Sequence, residues 1–172
     1  RYLGHPDCYL LYGGILQYYS RYRGEPADVG APAVATPSPS FPTTNPDARA
    51  TAARLQALLG TALVVDTREE DEYQGAVKYN EARAGHVSGA VSYPWKQMFD
   101  GGVLRPCDQL RTDWAALGDL SGPVILYCTG GIRSGFMWAV MQHCGVEAAA
   151  NYDASIWEWA AQGDLPMTTG SE

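Results

Sequence analysis

The residues of this chain best suited to chemistry lie in the stretch PVILYCTGGIRSG, Pro123 to Gly135. Cys128 closes a continuous apolar run, and Gly130, Gly131 and Arg133 follow before the pattern turns helical. In open α/β sheets, the position between the carboxyl end of a parallel strand and the next helix is where ligands bind. Two glycines let successive backbone N–H groups turn toward one centre, and the helix N-terminus adds partial positive charge. Such a loop is an anion cradle around a sulfur atom. It lowers the thiol pKa, and Arg133 at its rim brings a full positive charge and a fork that fits an oxyanion. The spacing reads as a nucleophile and an anionic substrate held by one loop. The competing reading makes Cys128 a small apolar residue completing the strand, as most free cysteines are. A packing cysteine has no need of an adjacent loop built for anions.

The other cysteines give a contrast. Cys144 falls within the apolar helical pattern, with Val140 and Met141 beside it, and reads as core. Cys107 near a helix start and Cys8 ahead of a strand have no recognisable partner and are assigned no role. There is no CxxC pair and no companion histidine spacing, so neither zinc nor a dense disulfide framework is indicated, and free thiols are the simpler reading. No metal and no cofactor is expected.

The elements that must position Cys128 emerge from periodicity. The 172 residues, 46% of them apolar, suffice for one domain with an appendage. Residues 1–25 read as a short strand, CYLLYGG, leading into a helix, ILQYYSRYR, a pair too small to bury its own apolar faces. Residues 26–46, rich in Pro, Ala, Ser and Thr, suit an extended linker. From residue 47 to 172, helix and strand signals alternate at the spacing of a parallel sheet. A helix over DARATAARLQALLG stops at Gly60 and feeds the strand ALVVD; an acidic helical turn, TREEDEYQG, follows. In GHVSGAVSYPW, Gly85 and Gly89 bracket a brief strand, CDQLRTDWAALG is an amphipathic helix with Leu110, Trp114 and Leu117 on one face, and PVILYC is the most buried strand. An apolar helix, SGFMWAVMQHCG, then a strand, AAANYD, and a helix, SIWEWAAQG, close the chain. The expected architecture is an α/β three-layer sandwich with about five mainly parallel strands. The net charge of −7, with only 12 Lys and Arg, argues against a nucleic-acid or anionic-membrane surface. No apolar run approaches the roughly 18 residues of a membrane span.

The order VVDTREEDEYQG, GHVSGAVSYPW, YCTGGIRSG and NYDASIWEW resembles the rhodanese-like sulfurtransferases, specifically the second half of the tandem thiosulfate and mercaptopyruvate enzymes. The resemblance covers Thr51 to Pro166. The opening YLGHPDCYLLYGGILQYYSRYRGEP is similar to the closing strand and helix of the first, silent half, which implies a preceding rhodanese-like domain as partner.

The resemblance implies a role for each matching position. Cys128 is the sulfur-accepting nucleophile, attacking the outer sulfur of a small anionic donor such as thiosulfate and releasing sulfite. Cyanide or a cellular thiol then removes the sulfur. Thr129, Gly130, Gly131, Ile132 and Ser134 line the loop that holds the persulfide, and Arg133 is its cation. Asp66 and Arg68 match a DxR segment and act as supports, with Arg68 adding to the positive field at the substrate; the competing reading is a surface ion pair after a strand. His86 matches a GHI segment and is a structural hydrogen-bonder rather than a base, since a preformed thiolate needs none. Trp95, Trp157 and Trp159 are core or interface aromatics. Two departures bear on chemistry. Glu72 stands where animal mercaptopyruvate enzymes carry an Arg for the substrate carboxylate, which disfavours mercaptopyruvate. Four residues separate Cys128 from Arg133 where related cysteine phosphatases have five, a tighter ring that suits one sulfur better than a phosphate. The alternatives to an enzyme of sulfur transfer are a persulfide carrier in a sulfur relay and a cysteine phosphatase.

Overall fold

The computed structural model describes Tyr9, Leu11, residues 14–21 and residues 44–170. The chain divides into two units, Arg1–Asn45 and Pro46–Glu172. In the first, helix α1 spans Gly14–Arg21. The strand expected within CYLLYGG, and the Pro-rich zone apart from its last three residues, lie outside the described residues.

The second unit is built on a five-stranded sheet. Its strands are β1 (Arg49–Ala50), β2 (Leu63–Asp66), β4 (Val91–Ser92), β7 (Val124–Tyr127) and β8 (Ala149–Tyr152), in the order β1-β8-β7-β2-β4. Every pairing is parallel, so β7 lies at the centre with Asp66 opposite Tyr127 and Leu126 opposite Asn151. Its four residues are all buried because helices cover both faces. On one face Val64, Ile125, Tyr127, Ala150 and Tyr152 pack with Leu55 of α2 (Ala52–Leu58) and with Ile156, Trp159 and Ala160 of α6 (Ser155–Ala161). On the other, Val65, Val124, Leu126 and Ala149 pack with Leu110 and Trp114 of α4 (Cys107–Leu117) and with Met137, Val140 and Met141 of α5 (Ile132–His143). The alternation of side chains along each strand thus splits the core into two layers around one sheet. The chain is an α/β three-layer sandwich.

Local signals set the ends of several elements. Thr51 Oγ1 accepts the Arg54 amide at 3.2 Å and starts α2 as its N-cap. The acidic turn is α3 (Glu70–Gln74), opened by a reciprocal capping box between Glu69 and Glu72.

Two expectations are corrected. The strand expected between Gly85 and Gly89 is β3 (His86–Val87), but it pairs antiparallel with β9 (Met167–Thr168) outside the main sheet, and a further strand, β4, follows and joins the main sheet beside β2. A turn at Gly89, closed by the Ala90 amide on the Val87 carbonyl, separates them. A second small antiparallel pair joins β5 (Phe99–Asp100) to β6 (Val103–Leu104). Cys107 and Cys144 are not free thiols but a disulfide with Cα atoms 5.2 Å apart. Cys107 opens α4 and Cys144 ends α5, and the packing of these helices on the same face brings the two ends together. Cys144 is buried in the core as expected, but bonded there.

Candidate active site

Cys128 is the first residue after β7, and α5 begins at Ile132, so the loop between strand and helix is Cys128 to Gly131. The residue is 2% exposed, yet it belongs to neither apolar layer. Its surroundings are backbone. Gly131 N–H donates to Cys128 Sγ at 3.1 Å. That amide is aimed inward because Gly131 adopts φ 85°, the left-handed region that disfavours side chains, and a Cβ there would collide with the Asp153 backbone. A Cβ on Gly130 would strike the Trp157 ring.

The carbonyls of the loop point the other way. Cys128 O accepts from Ile156 N–H and Thr129 O from Trp157 N–H, both at 3.1 Å, so the first turn of α6 ties them down. Ser155, held at φ 55°, accepts the Cys128 amide at 3.1 Å and donates to Tyr152 O at 2.6 Å. With carbonyls drawn outward, the amides face the sulfur, and the first-turn amides of α5 have no intrahelical acceptor. Burial alone would raise the Cys128 pKa. The amides of Ser134 and Gly130, the Ser134 hydroxyl and the Arg133 charge outweigh it, and the thiol titrates below its ordinary value. Ser134 Oγ is fully buried and has no hydrogen-bond partner among the described residues.

Arg133 stands at the rim. Its Nη1 and Nη2 donate to Glu72 Oε2 at 2.7 Å and Oε1 at 2.9 Å, and Nη2 also meets Thr129 Oγ1. Thr129 Oγ1 donates to Glu72 Oε1 at 3.1 Å. The guanidinium lies 5.8 Å from the centre of the Tyr79 ring, half of which is exposed, and Tyr79 O accepts from Trp157 Nε1 at 2.9 Å. The Ile132 side chain, 85% exposed, projects to solvent, so its part in the loop is its backbone.

Asp66 and Arg68 form an ion pair that is not on the surface: both are buried, with Arg68 Nη2 at 2.6 Å from Asp66 Oδ2 and 2.8 Å from Gly85 O. Arg68 also lies over the Tyr127 ring at 5.9 Å. Its Nε and Nη2 are committed to these groups, and the burial of the pair corrects the surface reading. His86 Nδ1–H donates to Tyr73 O at 2.9 Å, and the two rings stack 3.7 Å apart. Trp159 is core, Trp95 packs on Phe99 and Phe136, and Trp157 is half-exposed against Gly130. Among the described residues no cluster of His, Cys, Asp and Glu could hold a metal.

Sequence reasoning missed three participants. Ser155 gave only the weak signal of a serine opening a helix. Tyr79 lies in the polar excursion after α3, where no periodicity marks it. Glu72 was noted as a departure from a family pattern, but its pairing with Arg133, 61 residues away, carries no local signal.

The family described as rhodanese-like domain matches residues 51–162. A thiosulfate sulfurtransferase of Pseudomonas aeruginosa is 34% identical, over 96% of this chain and 61% of its own length. A 3-mercaptopyruvate sulfurtransferase of Escherichia coli is 28% identical, over 72% of this chain and 46% of its own length. The crystal structure of YnjE superposes with a TM-score of 0.86 at 22% identity, covering 99% of this chain and 44% of that one. The chain thus spans about three fifths or less of the length of these relatives.

Proposed function

The chain belongs to the rhodanese-like domain family, and from that premise we propose that it is a sulfurtransferase that carries sulfane sulfur on Cys128. The Cys128 thiolate attacks the outer sulfur of thiosulfate. A new S–S bond forms to Cys128, the donor's S–S bond breaks, and its electron pair leaves on sulfite. The terminal sulfur of the persulfide keeps one negative charge, which the loop's backbone amides receive. A thiophile, cyanide in solution or a thiol in the cell, then takes that sulfur and returns Cys128 to the thiolate. The lowered thiol pKa lessens the need for a general base.

The observation that carries the reading is the 3.1 Å hydrogen bond from Gly131 N–H to Cys128 Sγ, in a loop whose carbonyls are bonded elsewhere. Incubation with thiosulfate is expected to add about 32 Da to the protein, the mass of one persulfide sulfur. Cyanide reverses the addition and Cys128→Ser abolishes it. An unchanged mass in the wild-type protein rejects the reading. Steady-state thiocyanate formation separates an enzyme from a carrier, which loads sulfur but turns over feebly.

A further inference from the structure

Glu72 is a buried carboxylate that the transfer chemistry does not itself require. It sits on α3 with 0% exposure, and its oxygens accept from both Arg133 Nη atoms, the Thr129 hydroxyl and the Glu69 amide. Burial alone would raise its pKa, but the Arg133 and Glu69 donors outweigh it and hold the carboxyl below the ordinary range. Glu72 is therefore charged at neutral pH. Arg133, the loop's cation, also feels the charge of Cys128. One guanidinium thus spans two anions, a carboxylate and a thiolate.

The charge balance decides what the loop offers a donor. Arg133 and Glu72 cancel, so the attraction left for an incoming anion comes from backbone amides and the N-terminus of α5, a partial charge of about half a unit. A dianion gains little from this and still meets the full charge of the thiolate. A monoanion carrying the same sulfane sulfur meets half that repulsion.

We propose that Glu72 is a positioning and specificity-determining residue, which fixes Arg133 at the rim and, by neutralising it, makes the loop discriminate against the second negative charge of a dianionic sulfur donor. The inference rests on the sulfurtransferase reading. The favoured class of donor is the thiosulfonate monoanion. The Cys128 thiolate forms the S–S bond to its outer sulfur, the donor's S–S bond breaks, and the electron pair leaves on a sulfinate; no proton, oxidant or reductant enters.

Glu72→Gln, which keeps the shape and removes the charge, provides the test. The kcat/KM is measured for thiosulfate and for methanethiosulfonate at one ionic strength. The ratio of the two is expected to shift toward thiosulfate by about tenfold, the scale of one unit charge acting across a partly buried site. The Cys128 thiol pKa, followed by thiolate ultraviolet absorbance against Cys128→Ser, is expected to fall as Arg133 is released to the sulfur. If both donors decline equally and the thiol pKa stays or rises, Glu72 is only structural and the proposal is overturned. Should Glu72→Gln not fold, Arg133→Gln answers instead: with Glu72 unopposed, the ratio shifts away from thiosulfate by a similar factor, and an equal decline for both donors overturns the proposal. The absorbance titration needs no donor. A wild-type protein that never loads sulfur therefore sinks the transferase reading, while the titration still decides whether Glu72 sets the charge of the loop.

Discussion

Gly131 and Arg133 act on the Cys128 sulfur by different means, and single substitutions separate them. Gly131 supplies an oriented amide at a backbone angle that other residues resist. Gly131→Ala adds a Cβ that collides with the Asp153 backbone, so the loop must shift and the amide turns from the sulfur. Persulfide loading by thiosulfate is expected to slow by tenfold or more, the cost of about one lost charge-assisted hydrogen bond; a rate unchanged in a stopped loading assay contradicts this. Arg133 supplies charge. Arg133→Ala is expected to raise the thiol pKa by on the order of one unit, the usual effect of an adjacent cation. It also strips a buried carboxylate of its partner, so the variant is expected to lose about 3 kcal/mol of stability in urea unfolding. A thiol pKa that does not move would show that the amides suffice.

At the scale of the element, the site is a contact between two strand-to-helix junctions. The first turn of α6 binds the carbonyls of the Cys128 loop, and Ser155 joins β8 to the Cys128 amide. Ser155→Ala leaves the Tyr152 carbonyl without that donor and is expected to cost about 1–3 kcal/mol, read as a fall of several degrees in Tm. On the other side of the sheet the Cys107–Cys144 disulfide closes a loop of sequence separation 37 between α4 and α5. Cys107→Ser is expected to lower stability by about 3–4 kcal/mol by the chain-entropy estimate for such a loop, and to leave sulfur loading on Cys128 intact. The junction of β7 with α5 was legible in the sequence because a continuous apolar run, two glycines and an apolar helix are all local patterns. So were α2, α4 and β8. The brief strand between Gly85 and Gly89, β3, was legible too, but β1 and β4 were not, since two residues carry no periodicity and hold their place through partners in β8 and β2. The disulfide was invisible for the same reason: helix packing, not spacing, brings Cys107 to Cys144. Asp66 and Arg68 could be read as a pair, but their burial depends on β2 lying between β7 and β4, which no short motif reports.

At the scale of the whole molecule, an acidic chain of net charge −7 builds a local anion site from backbone rather than from a basic surface. The sheet places that loop at the carboxyl end of its central strand, with helices packed on both faces. Its response to acid follows from Glu72. Because the folded carboxyl titrates below its ordinary value of 4.5, its contribution to stability is present above that pH and is lost as the pH falls through the lower folded value. The difference in Tm between the wild-type protein and Glu72→Gln is therefore expected to be constant near neutrality and to shrink in acid; a difference that persists in acid contradicts it. The account turns on whether the amide bowl keeps Cys128 ionised. Titration of the intact protein by thiolate ultraviolet absorbance, taken as the difference from Cys128→Ser, tests this most directly. The account predicts a midpoint clearly below the ordinary thiol value of 9.0, and a midpoint at or above it would contradict the account.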